Sequence, residues 1–428
     1  MEEPRSLLRE TYFAAVDASS PQATLPTHVE RIGERILIYA ESRTIDLTPL
    51  PGGRLCIIST GKGAEGMYRE AVRITAPPDT GIVVGPGKNP HLPGAFWIEG
   101  NHPLPGKNSL AAGQTILDTL SSLKEGDSLL YLLSGGSSSM VSLPIQGLSL
   151  SDKREITVKL MNAGASIYEL NCIRKALSRV KGGKLAPICK AVKSCVLVMS
   201  DVPGNNLSTI GSGPFLSSSF EGDPIKILEK YSLWGVIPAR MRLILKEASP
   251  ALPRNPIPHV LIADNQSALN GAGVFLLSKG FHLHFHEKEY EGDAITIGGS
   301  MGERAMSLLG KTKGCRSAFL AGGETSVKVK GGGRGGRNQE MAIGAALAVR
   351  GSGLTGLCAG SDGIDGSSCA AGGYFDGELI ERAWSASLDP ATYLNDNDSF
   401  TFLHSMGYSF ITGETGINVM DLCLCISM

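Results

Sequence analysis

One pattern constrains this chain more than any other: a short, unbroken apolar run followed at once by a loop of small residues, repeated along its length. It appears as LCIIS then TGKG from Leu55, LLYLL then SGGSSS from Leu129, and CVLVM then SDVPGNN from Cys195. It returns as HVLIA then DNQS, SAFLA then GGETS, and GLCA then GSDGIDG. Apolar runs of this length without alternation are expected of strands covered on both faces, as in parallel sheets. Between them lie helical patterns, such as Asp152 to Val180, with Ile156, Leu160, Ala163, Ile167, Leu170 and Leu177 mostly three or four apart. Strands alternating with helices predict a doubly wound α/β architecture.

A chain of 428 residues exceeds one ordinary core, so two domains are expected. The Pro-rich segment SPALPRNPIPH, Ser249 to His259, cannot continue a helix and marks the boundary. It gives an N-terminal domain over 1–250 and a C-terminal domain over 256–428. The 54 glycines cluster behind the apolar runs, which points to tight loops rather than to a linker. With 40 basic and 41 acidic residues and no basic stripe, a nucleic-acid partner has no electrostatic support. The apolar stretch Met341 to Val349 falls far short of the ~20 residues that span a bilayer. The opening MEEPRSLLRE places acids where a secretory signal needs bases, and the nine cysteines show no CxxC spacing. A soluble cytoplasmic protein with reduced thiols is expected.

Ligands of open α/β sheets sit beyond the carboxyl ends of the strands. The acids that first follow the strands, Asp201, Asp264, Glu324 and Asp362, are therefore candidates by location. GKGAEG from Gly61 has the GxGxxG spacing of a dinucleotide loop. The next strand, GIVVGPG, ends without the acid that would hold a ribose, and Lys62 inside the loop suits a phosphate better. Ser134, Gly135, Gly136, Ser137 and Ser138 offer consecutive N–H groups and hydroxyls, the materials of an anion nest or of a plain tight turn. In NCIRKALSRVKGGK, helical spacing puts Asn171, Arg174, Ser178 and Lys181 on one face: a cationic wall toward an acid or phosphate, or a solvated surface. FHLHFH puts His282, His284 and His286 on one strand face, which suits a partly exposed strand better than zinc. Cys423 and Cys425 read as ordinary strand residues. VKGGGRGGRNQE reads as a loop at the N-terminus of the helix MAIGAALAV. No Ser-His-Asp elbow of the GxSxG type and no HExxH are expected in the chain, so the hydrolase and metalloprotease readings fall.

Together these segments resemble the glycerate 2-kinase family, whose C-terminal region is called the MOFRL domain. The resemblance runs in order through TGKGAEGM, NHPLP, LLSGGSSSM, GASIYELNCIRKALSRVKGGKLA, SDVPGNNLSTIGSGP, GGETSVKVKGGGRGGRNQE, AGSDGIDGSSCAAGG, NDSF and ITGETGINVMDL. It implies ATP- and Mg2+-dependent phosphorylation of D-glycerate, usually at the 2-hydroxyl. It also implies two α/β domains, the first Rossmann-like, the second containing the MOFRL region, with the active site in the cleft between them. Lys62 and Arg337 match the family's active-site lysine and arginine. The chemistry then suggests both cations for the transferring phosphate and the Ser134–Ser139 loop for phosphate or substrate. Asp201 is the candidate base or metal-associated acid, Glu324 and Asp362 are candidate Mg2+ contacts, and Arg174 with Lys181 would meet the glycerate carboxylate.

The chain departs from the family's wording at Ala176, where a histidine is usual, at Cys369, where an acid is common, and at Glu414 and Ile417, which replace a proline and a threonine. Small-molecule partners are expected, with no nucleic acid or membrane; a homo-oligomer is allowed. Three rival readings stand beside the 2-kinase: phosphorylation at the 3-hydroxyl, an NAD(P)H-dependent hydroxypyruvate reductase, and a non-catalytic sensor.

Overall fold

All six apolar runs form strands in a computed structural model of the chain, which describes residues 4–216, 222–247, 256–310 and 314–428. The chain divides into two compact units. One comprises Leu25–Ser200 with Asn205–Ile262; the other comprises Met1–Thr24, Asp201–Gly204 and Ala263–Met428. The expected halves, 1–250 and 256–428, differ from these units at three places: the segment up to Thr24, Asp201–Gly204, and residues 256–262. Most of the boundary expected at Ser249–His259 lies outside the described residues.

The first unit begins with a small antiparallel sheet of β1 (Val29–Ile32), β2 (Arg35–Ala40) and β3 (Arg43–Asp46). Its main sheet contains β4 (Leu55–Thr60), β5 (Thr80–Gly85), β6 (Ala95–Glu99), β7 (Ser128–Leu133), β8 (Lys193–Met199) and β9 (His259–Ala263). The order across it is β6-β5-β4-β7-β8-β9, and the five strands from β6 to β8 pair in parallel. Every residue of β4 and β7 is buried, as unbroken apolar runs require. The chain builds outward from β4 to β5 and β6, then returns to lay β7 on β4's other side. The loops after β4 and β7 therefore flank the point where strand order reverses, where such sheets bind ligands.

The helical pattern from Asp152 to Val180 is not one helix but two, Leu150–Asn162 and Ile167–Ala176. Gly164 adopts φ +80° and breaks the first. Ser166 then starts the second as a capping box: its hydroxyl accepts from the Glu169 N–H, and its own N–H donates to the Glu169 carboxylate at 2.9 Å.

The second unit is mixed. Here β10 (His282–Phe285) and β11 (Tyr290–Asp293) pair in parallel with β12 (Ser317–Ser326). Antiparallel pairing then links β12 to β16 (Asp421–Ser427), β16 to β13 (Thr355–Gly360), β13 to β14 (Gly372–Asp376), and β14 to β15 (Ser409–Phe410). The segment GGETS, expected as a loop after SAFLA, continues β12 instead. Its two glycines can stay in the ladder, and they must lack side chains: a Cβ on Gly322 would lie 1.6 Å from the Asn265 side-chain oxygen. The helices Ala294–Leu309 and Arg337–Ala348 cross at Gly298 and Gly344, where a Cβ would strike the partner backbone at 2.1 and 2.3 Å. Helix Pro4–Ala18 joins this unit because its apolar stripe, Leu7, Leu8, Tyr12, Ala15 and Val16, is buried there. The Tyr12 hydroxyl donates to the Gly360 carbonyl at 2.8 Å.

Candidate functional site

The loops after β4 and β7 are bonded into one platform. Lys62 N–H donates to the Gly135 carbonyl at 2.8 Å, Gly63 N–H to the Ser134 hydroxyl at 3.0 Å, and the Ser137 hydroxyl to that of Thr60 at 2.9 Å. Gly61 sits at φ +114°, and a Cβ there would lie 2.4 Å from both Ser134 oxygens, so only glycine allows the loops to meet. Gly136, at φ +80°, faces the side chains of Lys62 and His102; its missing Cβ would stand 3.3 Å from the lysine stem and 3.2 Å from the imidazole. The N–H groups of Gly135 and Gly136 make no hydrogen bond among the described residues. Bare N–H donors beside a lysine are suited to an oxyanion. Five residues expected from the sequence, Lys62, Ser134, Gly135, Gly136 and Ser137, thus share one place.

Ser138 ties this platform to buried cations. Lys181 donates through Nζ to the Ser138 carbonyl and, at 2.5 Å, to its hydroxyl, which also meets the Ser212 hydroxyl at 2.8 Å. Lys181 is 3% exposed, and burial together with the positive charges of Lys153 and Arg174 holds its ammonium well below the usual lysine range. Burial also lowers Arg174 and Lys184, the latter to about 8. Lys184 spans the carbonyls of Lys175, Ala176 and Ser178, closing the end of helix Ile167–Ala176. The expected single face of Asn171, Arg174, Ser178 and Lys181 is therefore corrected. The helix stops at Ala176, so Ser178 and Lys181 lie beyond it, and the lysine is buried rather than solvated.

In the second unit Arg337 opens its helix between two carboxylates. Its guanidinium donates to Glu324 at 2.7 Å and to Asp421 at 3.0 Å, and Nε lies 2.7 Å from the other Asp421 oxygen. Register explains the pair of acids: Glu324 follows Gly323 on β12, and Gly323 faces Asp421 on β16. Burial opposes the Arg337 charge, but Asp421 and Glu324 outweigh it and raise the arginine further. The helix N-terminus is already filled. Asp365 accepts from the N–H groups of Asn338 at 3.1 Å and Gln339 at 2.9 Å, and burial pushes its carboxyl up to about 6 against those bonds. The glycine-rich loop before the helix is spent as well. Lys330 and Gly331 N–H donate to the Asn397 side chain, Gly332 to Asp396 and Arg334 to Asp398.

The acids expected to hold Mg2+ are not assembled. Among the described residues no three of His, Cys, Asp and Glu form a group that could hold a metal. Glu324 stands on a strand and pairs with Arg337, Asp201 accepts from the Asn418 amide at 3.1 Å, and Asp362 accepts from the Ile364 N–H at 3.2 Å. Asp264 caps helix Asn265–Ser278 through the Ser267 N–H. His282 and His284 share β10, but His286 falls beyond it. Cys423 and Cys425 are buried strand residues, as expected. The GxSxG spacing does occur at Gly298–Gly302, inside helix Ala294–Leu309, where no nucleophile elbow can form. Sequence reasoning missed Lys153, His102 and Asp421. Both His102 and Asp421 lie inside quoted motifs, NHPLP and INVMDL, which was the available signal.

The family described as "Domain of unknown function (DUF4147)" matches residues 7–246, and the MOFRL family matches residues 317–421. The D-glycerate 2-kinase of Thermotoga maritima is 38% identical over 380 residues, covering 87% of this chain and 90% of its own. The chain belongs to the glycerate 2-kinase family. A crystal structure of glycerate kinase from Thermotoga maritima matches it with a TM-score of 0.81 at 32% identity, over 99% of this chain and 100% of that one. A relative from Agrobacterium vitis, 32% identical over 98% of this chain and 93% of its own, carries the provisional name hydroxypyruvate reductase. Against the wording of the glycerate 2-kinase family, the departures fall at structurally distinct places. Ala176 is fully buried at a helix end and Ile417 is 5% exposed, whereas Cys369 and Glu414 are exposed. The retained Thr415 hydroxyl donates to the Ser361 carbonyl at 2.6 Å.

Proposed function

We propose that this chain transfers the γ-phosphoryl group of ATP to D-glycerate, at the 2-hydroxyl, giving 2-phosphoglycerate and ADP. The observation that carries the reading is the bonded pair of loops at the reversal of strand order, with Lys62 beside bare N–H donors, in a chain of the glycerate 2-kinase family. Phosphoryl transfer asks a protein mainly for positioning and charge neutralisation. Lys62 and Arg337 neutralise the transferring group, the Ser134–Ser139 loop holds phosphate, Arg174 and Lys181 meet the glycerate carboxylate, and Asp201 accepts the hydroxyl proton. A Rossmann-like first domain, supported by the strand order, and a cleft that brings both cations to one phosphoryl group belong to the same proposal. So does a cytoplasmic setting; no helix of the described residues is long and apolar enough to cross a membrane.

Mg2+ ordinarily binds through one or two carboxylates plus the phosphates themselves. No group of three acids, histidines or cysteines is preassembled among the described residues, so a Mg2+ here would be held by single acids together with the phosphates.

The test is product analysis by phosphorus NMR after incubation with ATP, Mg2+ and D-glycerate. A 2-phosphoglycerate signal with matching ADP is expected. A 3-phosphoglycerate signal would move the reaction to the other hydroxyl. NADH oxidation by hydroxypyruvate, with no ADP formed from glycerate, would replace the kinase by the reductase.

A further inference from the structure

The helix Leu150–Asn162 turns Lys153 inward, where it is 5% exposed and its Nζ has no hydrogen-bond partner. Around it stand other cations. Lys184 and Arg174 act on Lys153, and Lys153 and Arg174 act on Lys181, all as like charges. Among the described residues, no carboxylate acts on Lys153, Arg174 or Lys181. Lys184 is satisfied by three backbone carbonyls and Lys181 by Ser138, while no hydrogen bond or acid holds Arg174 among the described residues. Cations withdrawn from water are normally paired, so a group that no acid of the described residues reaches is suited to an anion from outside the chain.

We propose that Lys153, Arg174 and Lys181 line one pocket for a small oxyanion, the carboxylate end of the acceptor acid, and that Lys153 is a binding residue beside the two already assigned. The identity of the occupant rests on the kinase reading above; the oxyanion chemistry does not. Placement favours carboxylate over phosphoryl. In a 2-hydroxy acid the carboxylate carbon is bonded to the carbon that carries the hydroxyl, so its site must adjoin the loop that holds the phosphate. Lys181 meets that condition, since its ammonium bonds Ser138 of that loop. Burial and the charges of Lys184 and Arg174 lower Lys153 to about 7, so an arriving anion restores a proton to it. Binding is thus linked to proton uptake.

Titration calorimetry of the full chain with D-glycerate alone, at pH 8 in two buffers of different ionisation enthalpy, reads the site without turnover. Wild type is expected to bind with net proton uptake, and Lys153→Met roughly ten- to hundredfold more weakly with that uptake reduced. Below pH 7 and without anions, where Lys153 carries its proton, Lys153→Met should also melt higher than wild type, because it replaces a buried unpaired charge by an apolar chain of similar length. A residue kept only for structure would instead melt lower when replaced. Wild-type affinity and proton uptake in Lys153→Met overturn the proposal, as does binding of inorganic phosphate that D-glycerate fails to displace. Should Lys153→Met not fold, Arg174→Gln gives the same affinity readout. Loss of the kinase reading would show separately, as wild type that binds D-glycerate yet forms no ADP.

Discussion

Two sets of positive charge in this chain are built on opposite plans. Arg337 lies between Glu324 and Asp421, and its charge is compensated by the chain itself. Lys153, Arg174 and Lys181 lie together with no acid among the described residues acting on any of them. A buried charge without a partner costs several kcal/mol, whereas a paired one recovers most of that through geometry and hydrogen bonds. The difference separates two jobs. A cation held by two carboxylates is fixed in direction before any ligand arrives, which is preorganisation. A group of cations lacking a counter-charge is incomplete until an anion enters. The glycine-rich loops repeat the contrast. Those after β4 and β7 keep the N–H groups of Gly135 and Gly136 unused, while the loop before Arg337 gives its N–H groups to Asp396, Asn397 and Asp398.

The largest effect should come from the two cations assigned to the transferring phosphate. Losing a group that neutralises transition-state charge costs roughly 10³–10⁵-fold, so Lys62→Ala and Arg337→Ala are each expected to nearly abolish ADP formation. Groups acting as a unit are non-additive. The double variant should therefore be little worse than either single one, and fully multiplicative losses would show the two acting at separate steps. Arg337→Ala also leaves Asp421, 1% exposed, without its partner, so it should lose stability as well as activity. An unchanged urea midpoint in Arg337→Ala would mean that Asp421 does not rely on that arginine, and the compensated set would lose its meaning.

Asp201→Asn comes next. A general base typically contributes ~10²–10⁴-fold, and the defect should appear in kcat with circular dichroism unchanged. Near-normal kcat across pH would remove Asp201 from the chemistry. A defect that varies strongly with Mg2+ concentration would instead give it a metal-associated role.

Arg174→Ala sharpens the contrast further. Hydrogen bonds to charged groups contribute about 1.5–3 kcal/mol, so KM for D-glycerate should rise roughly ten- to hundredfold while KM for ATP stays. Equal changes in both would detach the acid-free group from the acceptor.

The smallest effect is a slope. Lys153 titrates at about 7 in the folded chain, because burial and then the charges of Lys184 and Arg174 disfavour its ammonium. In the unfolded chain a lysine titrates near ~10.4. Between these values the unfolded state binds more protons, so stability rises with pH across that window. Without anions, wild type should therefore gain stability relative to Lys153→Met from pH 7 to 9 by urea unfolding. A constant difference would mean that Lys153 keeps its proton in the fold.

How far the sequence can be read follows the same division. Unbroken apolar runs such as LLYLL can only be strands buried on both faces, and both glycine loops after β4 and β7 are legible from spacing and residue type. GGETS is not, because two glycines read as a turn; pairing with β16 as far as Gly323 and with β11 from Gly323 to Ser326 shows that the strand continues and carries Glu324 to Arg337. Asp421 starts its strand instead of following one, so the rule about loops at carboxyl ends passes it by. Lys153 sits in DKREITVKL, whose charges suggest a solvated helix, and nothing local reveals which of them turns inward. The break after Asn162 was legible: Gly164 and the Ser166-x-x-Glu169 box are local signals that the apolar spacing overrode.

Helix Pro4–Ala18 has a consequence for how the chain matures. It is made before the strands that cover it, since its apolar stripe is buried in the unit of Ala263–Met428, with Tyr12 bonded to Gly360 and Arg5 paired with Asp376 at 3.2 Å. On the ribosome it must wait while Leu25–Ser200 and Asn205–Ile262 emerge and while the strands that will bury it are still unmade. During that interval Leu7, Leu8, Tyr12 and Val16 wait for the surface that will bury them, which makes the nascent helix a natural station for a chaperone. A piece cut to begin at Ala263 would carry the reciprocal defect. Gly271, which accommodates Ala14 and Ala18 by lacking a side chain, would face water, along with the groove around it. Supplying residues 4–18 as a separate peptide should restore the solubility of such a fragment.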